Sequence, residues 1–450
     1  MVADLQTARQ YSTLVDFDNG IVDRRIFHDP DIYQMEMEQI FARAWLFMCH
    51  DSQIPNPGDF FLNFMGEDRV IVVRDNDMSV NVLVNSCRHR GNAVCRADEG
   101  HATSFMCTYH GWTYDLKGSL VGVPGFKEVY HEELERESWG LIKAAQVDSY
   151  GGLIFATMDP QAPSLWEYLG EGARFCIDIW NAPGNMVAVS GVEKYTIKCN
   201  WKFPSDNTPD FYHGRVSHAS SNVGWRRSKL FNNNNRRGAS IVGPWQDGVI
   251  ILSDYGHGSA APYVQDNWRE LIDAEDPLDL DKWRLNEETQ KKLGPIGHRM
   301  RGSMLNIFPN VFLPASARQL AIRMPKGPML TELWYYTFID KDAEPEMQRE
   351  QRLNSARTFG ASGMLEQDDG ENWDQSTRGQ RGVVSGRHPL HYGMGKGRGE
   401  IVNDEINPPH IDSHINEYAQ RWTYKAWQEF MSAESWDQLK ATHTRPEGTL

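Results

Sequence analysis

The apolar positions of this chain change their period twice. Asp29-Pro30 opens a helix, since Asp caps free amides and Pro suits a first turn. Met37, Ile40, Phe41, Ala44 and Trp45 then recur at helical spacing. From Gly58 to about Asp159 the texture becomes one of short strands. Residues 70–73 and 79–84 flank Asp75-Asn76-Asp77, which predicts a hairpin turn, and Gly-rich punctuation runs on to Gly151-Gly152. This block reads as a small all-β module. Pro160 and Pro163 mark a joint, after which helix and strand mix. Residues 308–313 and 332–339 have strand composition, and 346–360 is charged and helical behind Pro345. The asparagines at 232–235 read as an irregular loop, and no internal repeat is visible.

Composition narrows the class. At 450 residues the chain has room for two or three domains of roughly 150 residues each. With 40% hydrophobic residues, 15 Trp, 16 Tyr and 19 Phe, it can fill a large core, which excludes disorder. A net charge of −15 repels phosphate backbones, so nucleic acid is excluded as the expected partner. No stretch approaches the roughly 18 apolar residues of a membrane span, so no membrane partner is expected. MVADLQTARQ lacks the apolar core of a secretion signal. Six Cys are too sparse for a disulfide framework, so a reducing, cytoplasmic setting is expected, with Cys acting as metal ligands or core fillers.

The sharpest chemical signal is Cys87-Arg88-His89, then 17 residues, then Cys107-Thr108-Tyr109-His110. Sulfur and imidazole are ligands that iron and zinc prefer. A structural zinc site is the bland alternative, but zinc fingers segregate Cys pairs from His pairs. Here each loop supplies one of each, which suits a cluster with two Cys on one iron and two His on the other. With their flanks, Cys87-Arg88-His89-Arg90-Gly91 and Cys107-Thr108-Tyr109-His110-Gly111-Trp112 closely resemble the cluster-binding loops of Rieske oxygenases. Cys49, Cys95, Cys176 and Cys199 have no such partners and read as buried apolar residues.

A second candidate centre lies in Asp206-Asn207-Thr208-Pro209-Asp210-Phe211-Tyr212-His213 with His218. Two His and one carboxylate leave open positions on an iron, as oxygen activation requires. Five residues turn about 140° around a helix, so His213 and His218 need a bend between them, which Gly214 can supply. The string resembles the mononuclear iron motif of the same oxygenases. Its gap from Asn207 to Asp210 is one residue shorter than in naphthalene-dioxygenase-like members, so the match is anchored on Asp-x-x-His. The third ligand is expected among the acids of 359–373. Glu366, Asp368, Asp369 and Glu371 are open choices from the residues alone. The resemblance of this stretch to biphenyl- and cumene-type dioxygenases implies Asp369, with Asp368 as runner-up.

Taken together, the chain resembles the large (alpha) subunit of Rieske non-heme iron aromatic-ring-hydroxylating dioxygenases. The resemblance implies an α+β fold: an all-β Rieske [2Fe-2S] module at 45–162 inserted in a catalytic domain, 1–44 and 163–450, with an antiparallel sheet and covering helices. It implies a [2Fe-2S] cluster on Cys87, His89, Cys107 and His110, and a mononuclear Fe(II) on His213, His218 and Asp369. It implies that Asp210 takes the outer N–H of His213, three residues on along a helix, and joins it to His110 of a neighbouring subunit. Phe359 is expected in the pocket wall, with Asn207, Leu365 and Leu313 as further substrate contacts. The implied reaction uses O2 to dihydroxylate an aromatic ring to a cis-dihydrodiol. No dinucleotide or flavin motif is visible, so a ferredoxin and an NADH-dependent reductase are the expected donors. A small beta subunit in an α3β3 assembly is the expected companion. A Rieske monooxygenase or demethylase shares both motifs, and a pure electron carrier would need only the first. Arg323 suggests a carboxylate clamp, yet Ile322-Arg323 and Pro325-Lys326-Gly327-Pro328 resemble a strand and turn of enzymes acting on uncharged arenes. A structural role is therefore expected for it.

Overall fold

A computed structural model describes residues 11–221, 223, 247–272, 275 and 279–449; the Asn run at 232–235 and the first ten residues lie outside them. The chain divides into two compact units, one of 41–165 and one of 1–40 with 166–450.

The 41–165 unit is built from small antiparallel sheets. One runs Val80–Val84, Asp68–Arg74, Asp59–Met65, Glu99–His101, and the strands 68–74 and 80–84 form the hairpin expected around Asp75-Asn76-Asp77. A second runs Gln146–Tyr150, Leu153–Thr157, Leu46–His50, and a third Leu120–Gly122, Thr113–Tyr114, Phe105–Met106. The core between them holds Phe60, Ile71, Val73, Leu83, Phe105 and Trp112, and both Cys87 and Cys107 are embedded in it.

In the other unit the strands Val15–Asp16 and Ile21–Val22 and a 3-10 turn, Arg24–Phe27, lead to the helix Pro30–Glu36, where the Asp29 carboxylate accepts from Asp31 N–H and Ile32 N–H. The helix passes into a π turn, Met37–Phe41, and stops there; Ala44 and Trp45 are not helical, and Leu46–His50 is a strand buried along its length. An apolar run buried on every side carries no period to separate helix from strand. The centre of this unit is a nine-stranded antiparallel sheet in the order Met186–Ala188, Thr331–Asp340, Gln319–Pro325, Val311–Pro314, Met304–Ile307, Gly258–Pro262, Gly248–Leu252, His410–Ile411, with Glu193–Ile197 also on Thr331–Asp340. The helices Pro345–Thr358, Met364–Gly379 and Tyr418–Ser432 pack on it. The run at 308–313 is not one strand: Phe308 and Pro309 lie between two. Phe308 N–H donates to His257 Nδ1 at 2.9 Å and Phe308 C=O accepts from Tyr168 OH at 2.6 Å, while Pro309 has no N–H for a ladder.

Candidate functional site

In the 41–165 unit, Cys87 follows Val80–Val84 and Cys107 follows Phe105–Met106, so each Cys loop leaves the end of a strand. Both loops close the same way. Gly91 N–H returns to Cys87 C=O at 2.8 Å and Gly111 N–H to Cys107 C=O at 2.9 Å, with φ of 73° and 75° at the glycines. A Cβ at Gly111 would also stand 2.8 Å from Pro124 Cγ. Tyr114 OH accepts from Arg88 N–H at 3.1 Å, leaving its proton for Cys87 Sγ at 3.3 Å. Burial works against ionising the Cys107 thiol, but the N–H of Tyr109, the Asn92 amide, Cys87 and the N–H of His110 outweigh it and hold its pKa below the ordinary value. The His89 and His110 rings meet edge to face at 4.4 Å, and His89 stacks on Trp112.

The donor set fits a two-iron cluster. Nδ1 of His89 and Nδ1 of His110 are both buried with no hydrogen-bond partner, beside two buried thiols.

Among the described residues, donors of His213, His218 and Asp369 gather within 4.8 Å of one another. Nε2 of His213 lies 3.3 Å from Nε2 of His218, and Asp369 Oδ1 lies 3.4 and 3.5 Å from the two. Those edges suit three donors that each bond one metal ion at roughly 2.1 Å. The bend between the histidines is real: a 3-10 turn, His213–Arg215, turns the chain at Gly214. Each ring is braced from behind by a carboxylate. Asp210 Oδ2 lies 3.3 Å from His213 Nδ1, and Asp368 Oδ2 lies 3.3 Å from His218 Nδ1 while accepting from Ser221 OH at 2.6 Å. Asp210 is not on a helix with His213; it sits just before the 3-10 turn, and its Oδ1 accepts from Tyr212 N–H at 2.7 Å and His213 N–H at 3.3 Å. Burial, joined by Glu366, Asp368 and Asp210, pushes Asp369 up to about 8 despite His213. Such a carboxylate is costly to ionise without a cation beside it.

The motif is anchored at its start. The buried Glu36 carboxylate accepts from Lys202 Nζ at 2.5 Å, Trp201 Nε1 at 2.8 Å and Trp427 Nε1 at 2.7 Å, tying Lys202–Asp206 to the first helix. Asp206 is buried with Tyr392 OH at 2.8 Å and Tyr424 OH as donors.

A cavity of about 200 Å³ opens beside the triad. Phe211, Met304, Phe312, Phe359, Leu365 and Trp373 supply its apolar wall, and Asn207, Thr208, Arg323 and Glu366 its polar points. Leu365, Asp369 and Trp373 recur every four residues on Met364–Gly379, so one helix face presents both a metal donor and two wall residues. Of the expected pocket residues Asn207, Phe359 and Leu365 line the cavity. Leu313 does not: on Val311–Pro314 its neighbour Phe312 faces the cavity, and strand alternation turns Leu313 to the other side. Glu371 is exposed. The sequence reading missed Asp368 as a brace for His218, Ser221 behind it, and Tyr114 at Cys87. No local pattern marks them, because each acts on a residue distant in the chain.

The Rieske [2Fe-2S] domain family matches residues 44–138, and the ring hydroxylating alpha subunit (catalytic domain) family matches 185–433. The chain is 37% identical to the biphenyl dioxygenase alpha subunit of Paraburkholderia xenovorans (strain LB400), covering 95% of this chain and 94% of that one. It is 37% identical to a benzene 1,2-dioxygenase alpha subunit of Pseudomonas putida, covering 96% of each. Naphthalene 1,2-dioxygenase with indole bound in its active site superposes with a TM-score of 0.84 at 31% identity, covering 96% of this chain and 97% of that one. The similarity therefore also spans the segments at 151–199 and beyond 387, where sequence motifs alone are silent. With both domain families matched and such identity over nearly its whole length, this chain belongs to the alpha subunits of aromatic-ring-hydroxylating dioxygenases, oxidoreductases that join a Rieske [2Fe-2S] domain to an iron-dependent catalytic domain.

Proposed function

We propose that this chain is the large subunit of a terminal oxygenase that adds both atoms of O2 to an aromatic ring, giving a cis-dihydrodiol in aromatic hydrocarbon breakdown. The observation that carries this reading is the triangle of His213, His218 and Asp369 donors opening onto an apolar cavity. In this reading Cys87, His89, Cys107 and His110 hold the [2Fe-2S] cluster of an electron-entry domain at 45–162. His213, His218 and Asp369 hold the mononuclear iron. Bound there, the cluster supplies electrons and the iron supplies the oxygen chemistry.

The chain's own residues do the rest. Asp368 accepts from Nδ1 of His218, and the Asp210 carboxylate stands 3.3 Å from Nδ1 of His213 at ion-pair distance, so a proton on each Nδ1 is favoured and each Nε2 lone pair faces the shared point. The apolar wall excludes water and holds a flat ring by shape, with Phe359 and Phe312 meeting edge to face at 5.2 Å. Asp210 is also the residue we assign to receive a hydrogen bond from His110 of a neighbouring subunit. A small beta subunit in an α3β3 assembly, a ferredoxin and an NADH-dependent reductase complete the system.

The test uses protein loaded with iron and sulfide, supplied with electrons, under 18O2 with biphenyl, benzene or naphthalene. Three irons per chain and a diol carrying two labelled oxygens are expected. A product with one labelled oxygen would replace this reading by monooxygenation.

A further inference from the structure

The cavity beside the triad is walled mostly by apolar side chains, yet one wall carries a guanidinium. Arg323 lies on Gln319–Pro325, inside the catalytic sheet, and is 2% exposed. Of its three nitrogens only Nη2 is used: it donates to Thr208 Oγ1 at 2.7 Å, whose own proton goes to Pro204 C=O at 3.2 Å. Nε and Nη1 are buried without a hydrogen-bond partner. Among the described residues no carboxylate lies within ion-pair distance of Arg323. Three acids share the cavity: Asp210 and Asp369 lie at the histidines, and Glu366 is occupied by Tyr195 OH at 2.5 Å and Tyr335 OH at 2.6 Å.

A buried arginine with a structural job looks different in this same unit. Arg284, equally buried, donates Nε to Asp281 at 3.1 Å, Nη1 to His298 C=O and Nη2 to Met300 C=O, both at 2.9 Å. Arg318 and Arg421 also keep unpartnered nitrogens, but neither lines the cavity. Among the arginines of the described residues, Arg323 is the one that brings unused donors into the cavity wall, where Trp373 Nε1 is likewise without a hydrogen-bond partner. Leaving charged donors unpaired in an apolar enclosure is expensive, and an anionic ligand group relieves the cost at once. A carboxylate is the group whose oxygens match guanidinium donors best. The guanidinium also sits 4.8 Å over the Phe312 ring, itself part of the wall.

We infer that Arg323 anchors the substrate, and that the preferred substrate is an arene bearing a carboxylate, its acid group on Arg323 and its ring against Phe312, Phe359 and Trp373. This rests on the dioxygenase reading above, and it reverses the structural role expected for Arg323 from the sequence.

The test compares matched pairs on the iron-loaded protein with its electron supply: benzoate with benzamide, phenylacetate with phenylacetamide, 3-phenylpropanoate with 3-phenylpropanamide, and biphenyl as a neutral arene. At least one acid should show kcat/KM tenfold or more above its amide. In Arg323→Met the ratio of the acid's KM to the amide's KM should rise at least 30-fold; iron content and melting temperature report folding. Should that variant fail to fold, Thr208→Val, which loosens Arg323 but keeps its charge, should still raise the acid's KM several-fold more than the amide's. If wild type oxidises biphenyl and the amides as well as every acid, the Arg323 assignment is overturned and the dioxygenase reading stands. If no arene is oxidised with three irons in place, that reading fails, and calorimetric binding still decides Arg323. Acid binding that disappears in Arg323→Met supports the anchor; no acid binding to wild type removes it.

Discussion

The two candidate metal regions are built on opposite plans. In the 41–165 unit, two short loops each bring a Cys and a His, and the unpartnered buried nitrogens are Nδ1 of His89 and His110. In the catalytic unit the converging nitrogens are Nε2 of His213 and His218, and behind each ring an aspartate oxygen stands 3.3 Å from Nδ1, as a hydrogen bond at His218 and at ion-pair distance at His213. The first plan presents ring nitrogens from loops stiffened by glycine turns. The second spends one carboxylate per ring to fix its tautomer and aim. A loop frame positions ligands through local backbone geometry; a braced frame needs side chains from elsewhere in the chain.

Removing one ligand from each region is the strongest way to break this contrast. Cys107→Ser should abolish the brown colour and about two-thirds of the iron, the share of a two-iron cluster beside one mononuclear ion. Asp369→Ala should do the reverse, keeping the colour, losing about one-third of the iron and lowering turnover at least ~1,000-fold. Metal analysis with visible spectra checks both. Zinc in wild-type protein in place of iron would sink the whole assignment.

The braces come next. Asp368→Asn should weaken iron affinity or turnover by about 10–100-fold, the usual cost of losing a carboxylate behind a metal-bound His. Asp210→Asn should form both centres yet slow turnover further, because it also loses the proposed link to His110. Single-turnover kinetics separate the two: only Asp210→Asn should slow oxidation of the reduced cluster. Equal behaviour of the two variants would reduce Asp210 to a brace.

A smaller effect belongs to the wall. Phe359→Val removes bulk beside Phe312 without touching a ligand, so the ratio of diol isomers from one asymmetric arene should shift about tenfold, equivalent to ~1.4 kcal/mol between two poses. An unchanged ratio with a large loss of thermal stability would assign Phe359 to packing alone.

The smallest effect calibrates the catalytic unit away from its metal donors. His443 lies between Glu429 Oε2 at 3.0 Å and Asp254 Oδ1 at 3.1 Å. Burial lowers its pKa, but the two carboxylates outweigh this and raise it above the ordinary value. A raised folded pKa means the stabilisation is complete below the unfolded value near ~6.5 and is lost as pH climbs through the folded one. Asp254 is held below its ordinary value: burial opposes this, but the His443 bond prevails, so its share fades only in acid. Melting curves of wild type and His443→Gln should differ by about 1 kcal/mol near pH 6, and the gap should narrow toward alkaline pH. A constant gap would refute the charge-based account.

How much of this was readable in advance follows from distance along the chain. The Asp29 cap and the hairpin at Asp75-Asn76-Asp77 involve residues a few positions apart, and the structure has both. The helix expected to continue to Trp45 and the single strand expected at 308–313 failed for a shared reason. Both are apolar runs buried on all sides, where periodicity carries no information and the partners of Phe308 decide the path.

The sequence by itself determined the pieces whose geometry is local: the two Cys and His loops, the Asp-x-x-His string and the acidic stretch around Asp369. Loop closure at Gly91 and Gly111 depends on backbone torsions of neighbours, so a motif can encode it. Only the tertiary structure decided which acid joins the histidines. Asp368 and Asp369 are adjacent in sequence, yet helix geometry aims one at His218 Nδ1 and the other at both Nε2 atoms, across a separation of 150 residues. The state of Arg323 is likewise a tertiary fact. Whether a buried guanidinium is satisfied depends on carbonyls and carboxylates brought near it by folding, and no spacing in the chain records their absence.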